Sequence, residues 1–99
     1  DLDIIVSPTV GQVPHELGEL PIDQDFDELL PKFTEWTCFT PLANATGAPA
    51  VSLPLGFHEP TGMPIGVMFS ADLGRERALL ALALQIEQAA PFRRIQDQA

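Results

Sequence analysis

The chain has 99 residues, 45% of them hydrophobic and 19% charged, a composition that predicts one globular domain and excludes a disordered chain. Fourteen acidic residues against five basic ones give a formal net charge of −9, which argues against a nucleic-acid partner and against docking on an anionic membrane. No apolar run approaches the roughly 20 residues that span a bilayer, so we expect no transmembrane helix. A single cysteine, Cys38, excludes an internal disulfide and favours a reducing, cytoplasmic location.

The acidic residues are concentrated in the first third of the chain. Residues 1–35 carry nine of them against Lys32 alone, which favours a solvated face or a mobile segment. Asp23, Asp25 and Asp27 alternate as in a calcium loop, but no central glycine and no closing glutamate follow, so no metal site is expected. Without an initiator methionine or a leader pattern, we expect the natural beginning of the protein to lie elsewhere.

The first predicted elements are short. A short apolar run ended by Ser7 and Pro8 predicts a buried strand; it comprises Leu2, Ile4, Ile5 and Val6. Glycines and prolines over 10–23 predict a loop, and Asp25–Leu30 predicts a short helix that ends before Pro31. We therefore divide the chain into a strand with an acidic Pro/Gly-rich segment, residues 1–35, and a helix-hairpin-helix core, residues 36–99.

The core begins with a second short helix. Thr40 followed by Pro41 is typical of a helix start, with the hydroxyl as N-cap, and Gly47 predicts its end. Ala48–Gly56 then predicts a strand whose two prolines favour an edge or a bulged position in the sheet.

A hairpin and a long helix complete the predicted elements. The turn residues His58–Gly62 separate that strand from a second one, Met63–Ser70, in which Gly66 indicates close approach by a neighbouring backbone or helix. Asp72 is the predicted cap of a helix from about Gly74 to Ala90. The spacing of its apolar residues predicts a helix that packs on a sheet and is buried around much of its circumference. These residues are Leu79, Leu80, Leu82, Ala83, Leu84, Ile86 and Ala90. The predicted fold is α/β: a short strand plus an antiparallel hairpin, packed by a long C-terminal helix.

No catalytic motif is self-contained in the sequence. The candidate nucleophiles, Ser7, Ser52, Ser70 and Cys38, lack a base at motif spacing, and the cysteine is interpreted as a small buried hydrophobe. The two histidines, His15 and His58, stand far apart in predicted loops, and the glycines form no phosphate-binding loop. No cofactor is expected.

Four phrases of the sequence nevertheless resemble the amidase signature family. Residues 44–54 read N-A-T-G-A-P-A-V-S-L-P, like the family phrase before its final hairpin, and residues 62–69 read G-M-P-I-G-V-M-F, with Met68 where Gln is common. Residues 87–92, E-Q-A-A-P-F, match the end of the family's last helix. Residues 3–9, D-I-I-V-S-P-T, are similar to a family strand.

The resemblance implies a hydrolase of carboxamides that uses a serine, a second serine in a cis peptide and a lysine. That triad lies in a Gly-Ser-rich region upstream of the part resembled here. The sequence has no adjacent serines and its one lysine, Lys32, lies in the acidic segment, so no catalytic residue carries over. The implied partners are a small-molecule amide and the rest of the amidase chain.

Residues before the second helix line the acyl side of the cleft in this family. The resemblance therefore predicts Trp36, Thr37, Cys38 and Phe39 as substrate-binding residues, with a place for the two aromatic side chains in the core as the alternative. It also implies structural roles for Asn44, Thr46 and Gly47.

Two hypotheses remain open. The chain is either the structural C-terminal part of an amidase, inactive alone, or a free-standing, non-catalytic interaction domain that associates with itself as a homo-oligomer.

Overall fold

The computed structural model of the chain describes residues 3–98. Its centre is a three-stranded antiparallel sheet of order β1-β3-β2. The strands are β1 (Ile5–Pro8), β2 (Ala50–His58) and β3 (Met63–Ser70), and the helices are α1 (Phe26–Trp36), α2 (Pro41–Thr46) and α3 (Glu76–Ala89), with a short 3₁₀ helix at Ile95–Gln98. The predicted α/β fold, a short strand and a hairpin packed by a long helix, is confirmed.

The hairpin forms where the turn residues predict it. The amides of Thr61 and Gly62 both donate to the carbonyl of His58, and Gly62 takes a φ of 69°, which a glycine adopts without strain. The register of β2 shifts between Pro54 and Gly56, so this edge strand contains the irregularity that its prolines predict. β2 begins and ends two residues later than expected.

The prediction of a buried first strand is wrong. Ile5 is 53% exposed and Val6 60% exposed, because β1 is a four-residue edge strand and α3 packs over β2 instead. Pro8 is the last residue of β1, where a missing backbone donor costs little. Leu2, part of the predicted run, lies outside the described residues.

Helix α1 continues past the proline that was expected to stop it. Asp25 caps it by accepting a hydrogen bond from the amide of Asp27 (3.1 Å), and the helix includes Pro31 and ends at Trp36. Proline removes one backbone hydrogen bond. The apolar stripe nevertheless continues at helical spacing on both sides of it, which favours one continuous helix; it comprises Phe26, Leu29, Leu30, Phe33 and Trp36.

Helix α2 has the predicted bounds, but its first turn is not capped as predicted. Thr40 occupies the N-cap position without a side-chain hydrogen bond, so the expected hydroxyl cap is wrong. At the other end, the Thr46 hydroxyl donates to the carbonyl of Leu42 (2.9 Å), and Gly47 takes a left-handed φ of 73°. Thr46 and Gly47 thus fix the backbone as predicted, whereas Asn44 makes no side-chain hydrogen bond among the described residues.

Helix α3 covers one face of the hairpin. Leu79 is 3% exposed and packs with Leu53, Phe69 and Ala71 to form the core. Its outer side is less covered than expected, since Leu80 is 66% exposed and Leu84 is 55% exposed. The helix also starts later, at Glu76.

The expected cap of α3 is wrong. Asp72 Oδ1 accepts a hydrogen bond from the next amide, Leu73 (2.8 Å), and Arg75 occupies the N-cap position. Asp72 therefore fixes the turn before the helix.

The molecule is flat and has a large surface for its mass. Its principal extents are 42 × 39 × 19 Å, and its radius of gyration of 15.8 Å exceeds the roughly 13 Å of a compact 100-residue domain. The accessible surface is 7607 Å², compared with about 5,500 Å² for a folded monomer of 10.7 kDa. No helix within residues 3–98 is both long enough and apolar enough to cross a membrane.

Candidate functional site

The sheet face opposite α3 carries hydroxyl groups. The pairing places Ser7 and Ser52 on either side of Met68, and Thr9 beside Gly66. Thr9 Oγ1 and Ser52 Oγ lie 2.6 Å apart and are hydrogen-bonded across the central strand. This bond needs a glycine between them.

Side chains, rather than the predicted backbone or helix, approach Gly66. A Cβ atom at this position would lie 2.7 Å from Thr9 Oγ1 and 3.0 Å from Ser52 Oγ. The prediction of a close approach is thus confirmed, but the approaching groups are the two hydroxyls.

A cavity of about 540 Å³ lies beside this face and α2. Its apolar walls include Phe39, Leu42, Ala43 and the buried Met68. Its polar lining consists of Asp3, Ser7, Thr46, Ser70 and Asp72. A largely apolar hollow with a few polar groups is the usual form of a small-molecule site.

The four predicted substrate-binding residues connect α1 to α2, and the structure separates them. Phe39 lines the cavity, whereas Trp36, Thr37 and Cys38 are not among its described lining residues. The Thr37 hydroxyl donates to the carbonyl of Phe33 (2.9 Å), which closes the end of α1. Cys38 is free and exposed, so its interpretation as a buried hydrophobe is wrong.

Trp36 anchors the acidic segment to α1. The amide of Gly11 donates to the Trp36 carbonyl (2.9 Å), and a Cβ at Gly11 would collide with the carbonyl oxygen of Glu35. The Trp36 ring packs edge-on against Phe33, with 6.4 Å between ring centroids. Its side chain is half-buried, neither enclosed in the core nor fully exposed to solvent.

His15 is not isolated, contrary to the prediction. Its Nδ1 lies 3.0 Å from Glu19 Oε2, its Nε2 lies 2.9 Å from Gln12 Nε2, and its ring meets Trp36 edge-on at 5.6 Å between centroids. The amide of Glu16 also donates to Glu19 Oε2 (2.9 Å). These hydrogen bonds, first that of the backbone amide and then that of His15, hold the pKa of Glu19 below its usual range.

The signal for this cluster was present in the spacing. His15 and Glu19 are four residues apart on either side of the turn at Leu17 and Gly18, which brings their side chains together. Gln12 and Trp36, however, reach the imidazole through the packing of the loop on α1. A hollow of about 740 Å³ adjoins the cluster, and Lys32 and Glu35 of α1 help to line it.

Among the described residues, the hydrogen-bonded candidate nucleophiles bond to groups that are not bases. Ser7 Oγ donates to the carbonyl of Pro8 (3.1 Å), Ser52 bonds to Thr9, and Lys32 Nζ donates to Gln24 Oε1 (3.5 Å). Within residues 3–98, no serine or cysteine side chain is hydrogen-bonded to a histidine or lysine. Nor does this part of the chain bring together three side chains that could hold a metal ion. What the described residues do form is a cavity with apolar walls and a few polar side chains.

Comparison with known proteins relates this chain to one part of longer proteins. The amidase family profile matches residues 1–80. AmiC of Mycobacterium leprae is 44% identical over 95% of this chain and 20% of its own length. The 6-aminohexanoate-cyclic-dimer hydrolase of Pseudomonas sp. strain NK87 is 38% identical over 91% of this chain and 19% of its own.

A solved structure of 6-aminohexanoate cyclic dimer hydrolase superposes on 98% of this chain and 22% of that one, with a TM-score of 0.83 and 38% identity. Fold and site define an α/β segment with a largely apolar cavity beside its antiparallel sheet. The chain belongs to the amidase family, and it spans about a fifth of the length of the relatives it matches.

Proposed function

We propose that this chain is the C-terminal structural part of an amidase that hydrolyses carboxamide bonds. The hydrolytic serine, the cis-peptide serine and the lysine belong to the preceding part of that enzyme. The family membership over residues 1–80, with coverage of only a fifth of the relatives, carries the proposal. Among the relatives, the cyclic dimer hydrolase has also been solved with its substrate bound.

The surface of the chain supports this assignment. The accessible surface exceeds that of a folded monomer of the same mass by about 2,000 Å². Such an excess is expected of a segment that packs against the rest of a larger enzyme. No side chain of the described residues is less than 2% exposed, and large apolar side chains such as Ile5 and Leu42 remain exposed. The rest of the enzyme would cover them.

Trp36, Thr37, Cys38 and Phe39 form one wall of the substrate cleft in this proposal. Phe39 lies directly on the apolar cavity, and Trp36 offers a half-buried aromatic surface three residues earlier, at the end of α1. Apolar walls of this kind would accept the hydrocarbon part of an amide and leave its polar group to the catalytic residues. The apparatus needs no cofactor or metal ion, and the unpaired Cys38 suits a cytoplasmic enzyme.

A chimera tests the main proposal. In the cyclic dimer hydrolase, the segment that matches this chain is replaced by it, and hydrolysis of the cyclic dimer is measured. We expect activity from the chimera, none from the 99-residue chain alone and none from the hydrolase lacking that segment. Activity of the chain alone, or a folded chimera without activity, would contradict the proposal.

The wall residues are tested in the same chimera. Phe39→Ala and Trp36→Ala should each raise KM about tenfold, the effect of losing about 1.4 kcal/mol of binding, with a smaller change in kcat. Phe26→Ala is the matched control, because this aromatic residue of α1 is 66% exposed and lies away from the cavity. Equal KM values for all three variants would remove the wall from the proposal.

The second candidate function is self-association without catalysis. It is favoured by β1, whose exposed apolar residues Ile5 and Val6 lie on an edge strand open to pairing with another chain. Sedimentation of the purified chain distinguishes the two. A defined, tight homo-oligomer that binds no other amidase segment favours the interaction domain.

A further inference from the structure

Helix α1 is amphipathic, and part of its apolar face is uncovered. At about 100° per residue, five apolar side chains fall within about a third of the helix circumference; they are Phe26, Leu29, Leu30, Phe33 and Trp36. Leu29 and Trp36, on one side of this face, are half-buried. Phe26, Leu30 and Phe33, on the other side, are 66%, 45% and 49% exposed. We call these three side chains the open stripe.

The described part of the chain leaves the open stripe exposed. The loop before α1 covers the other side of the apolar face, where the amide of Gly11 donates to the Trp36 carbonyl (2.9 Å) and the His15 ring meets the indole. Helix α3 packs over β2, whereas no residue of α1 is buried. A helix of 11 residues depends on the packing of its apolar face, because its intrinsic propensity alone does not hold it in water. The open stripe has the spacing for such packing and lacks the partner.

The open stripe is separate from both hollows of the molecule. None of its three residues is among the described lining residues of the apolar cavity or of the hollow beside His15. Its surroundings on the helix are acidic, with Asp27 and Glu28 in the first turn and Glu35 in the last. Exposed apolar side chains bordered by charged ones are typical of a contact with another protein surface, whereas a small-molecule site is concave.

The extent of the uncovered surface indicates a large partner. The accessible surface of the chain exceeds that of a folded monomer of its mass by about 2,000 Å², whereas a typical interface removes about 800 Å² from each partner. The chain spans about a fifth of the length of its relatives, so about four-fifths of a protein of that length lies outside it. A body of this size is large enough to cover the open stripe.

Charge argues against a second copy of the chain on this face. In a symmetric dimer the same patch meets itself, so the acidic surroundings of one α1 would approach those of the other. Residues 1–35, which include almost the whole helix, carry nine acidic residues against Lys32 alone. Like charges brought together across an interface weaken it. The rest of an amidase is not subject to this symmetry.

We propose that the open stripe of α1 is a docking surface for an apolar surface of the preceding part of the amidase chain. Burial of its three side chains there completes the packing of α1. The inference rests on the proposed function, which supplies that preceding part. It gives α1 a role different from that of the cleft wall, since the helix attaches the segment to the enzyme.

Footprinting with hydroxyl radicals tests the docking surface without any substitution. The rate at which Leu30 and Phe33 are oxidised is measured by mass spectrometry in the 99-residue chain and in the chimera with the cyclic dimer hydrolase. We expect a severalfold lower rate in the chimera, because both side chains are exposed in the chain alone and covered by the hydrolase. Equal rates in the two proteins would overturn the proposal.

Substitutions in the chimera measure what the contact contributes. Leu30→Gln and Phe33→Gln are combined in one variant, which should lower the Tm of the chimera by several degrees, because two apolar side chains lose a buried position. Glu28→Gln is the matched control, since it places the same residue type on the opposite side of the same helix, and it should leave the Tm unchanged. Equal Tm values for the double variant and the control would also overturn the proposal.

Sedimentation of the 99-residue chain tests the other occupant. We expect the double variant to sediment as the wild-type chain does. A homodimer of the wild-type chain that the double variant disperses would show that a second copy occupies the open stripe, and would overturn the proposal.

These measurements separate the docking surface from the proposed function. An active chimera in which Leu30 and Phe33 are oxidised as fast as in the chain alone overturns the docking surface and keeps the amidase. A folded, inactive chimera with both side chains protected contradicts the proposed function and keeps the docking surface. KM reports on the cleft, from which the open stripe is separate, so Phe26→Ala remains the control for the cleft wall.

Discussion

The two faces of the sheet differ in how they are held. The face under α3 is joined by apolar contacts, with Leu53, Phe69 and Leu79 buried against one another. The opposite face is joined by the hydroxyl bond between Thr9 and Ser52, over a position that has no side chain. The first face buries Leu53 and Phe69 under Leu79, and the second has a cavity beside it.

This difference indicates a division of roles. Burial of large apolar side chains contributes most of the stability available to a small domain. A face with small and hydroxyl-bearing side chains contributes less burial but leaves room beside the central strand. The cavity therefore lies beside the sheet face on which large apolar side chains contribute less burial.

The sharpest test of the α3 face is truncation of its most buried residue. Leu79→Ala should lower the free energy of unfolding by about 2–5 kcal/mol, because it removes buried methyl groups and leaves a hole. Leu80→Ala, one residue along and 66% exposed, is the control and should change it by less than about 0.5 kcal/mol. Urea unfolding measures both, and equal effects would show that α3 does not pack as described.

The opposite face is tested by adding a methyl group. Gly66→Ala should cost about 1–3 kcal/mol of unfolding free energy, since its Cβ must displace the Thr9–Ser52 pair. Gly56→Ala serves as the control, because there a Cβ meets only Ile65, at an ordinary 3.6 Å. If both variants unfold at the same urea concentration, the hydroxyl bond does not close over Gly66.

The smallest expected effect lies outside both faces, at Glu19. Its pKa is lowered in the folded chain, so the stability that the carboxylate contributes is present above its ordinary pKa of 4.5. That contribution is lost as pH falls through the lower folded value. The stability difference between wild type and Glu19→Gln should therefore shrink as pH drops below about 4.5, measured by urea unfolding.

Glu59→Gln, which removes an exposed carboxylate of the hairpin turn that makes no side-chain hydrogen bond among the described residues, is the control. A difference for Glu19→Gln that stays constant down to acid pH would contradict the assigned hydrogen bonds.

The local sequence pattern was sufficient to predict the hairpin and most of the sheet face that α3 covers. The bounds of β3 and α2 follow from turn residues and from Gly47, which act within a few residues of themselves. The burial of Leu79 follows from its helical stripe. These features depend on neighbours in sequence, and the sequence displays them directly.

The errors arise where distant segments decide the outcome. Pro31 suggested a helix end, but the apolar stripe of α1 continues on both sides of it. The apolar run at the start of the chain predicts a buried β1, whereas burial depends on which strand α3 packs over.

The contacts of the candidate site were harder still to foresee. The sequence predicts an isolated His15, because nothing in its own segment shows that Trp36 lies beside it. The family resemblance named the region 36–39, and the sequence could not say which of its residues would reach the cavity.

The central position of β3 also sets the order in which the sheet can assemble. Its pairing with β2 closes a short hairpin loop, from His58 to Met63, whereas its pairing with β1 joins Pro8 to Val67. Loops of some sixty residues close more slowly and at a higher entropic cost than hairpins. We therefore expect β2 and β3 to form the template in folding, and β1 to be the last strand to join and the first to leave.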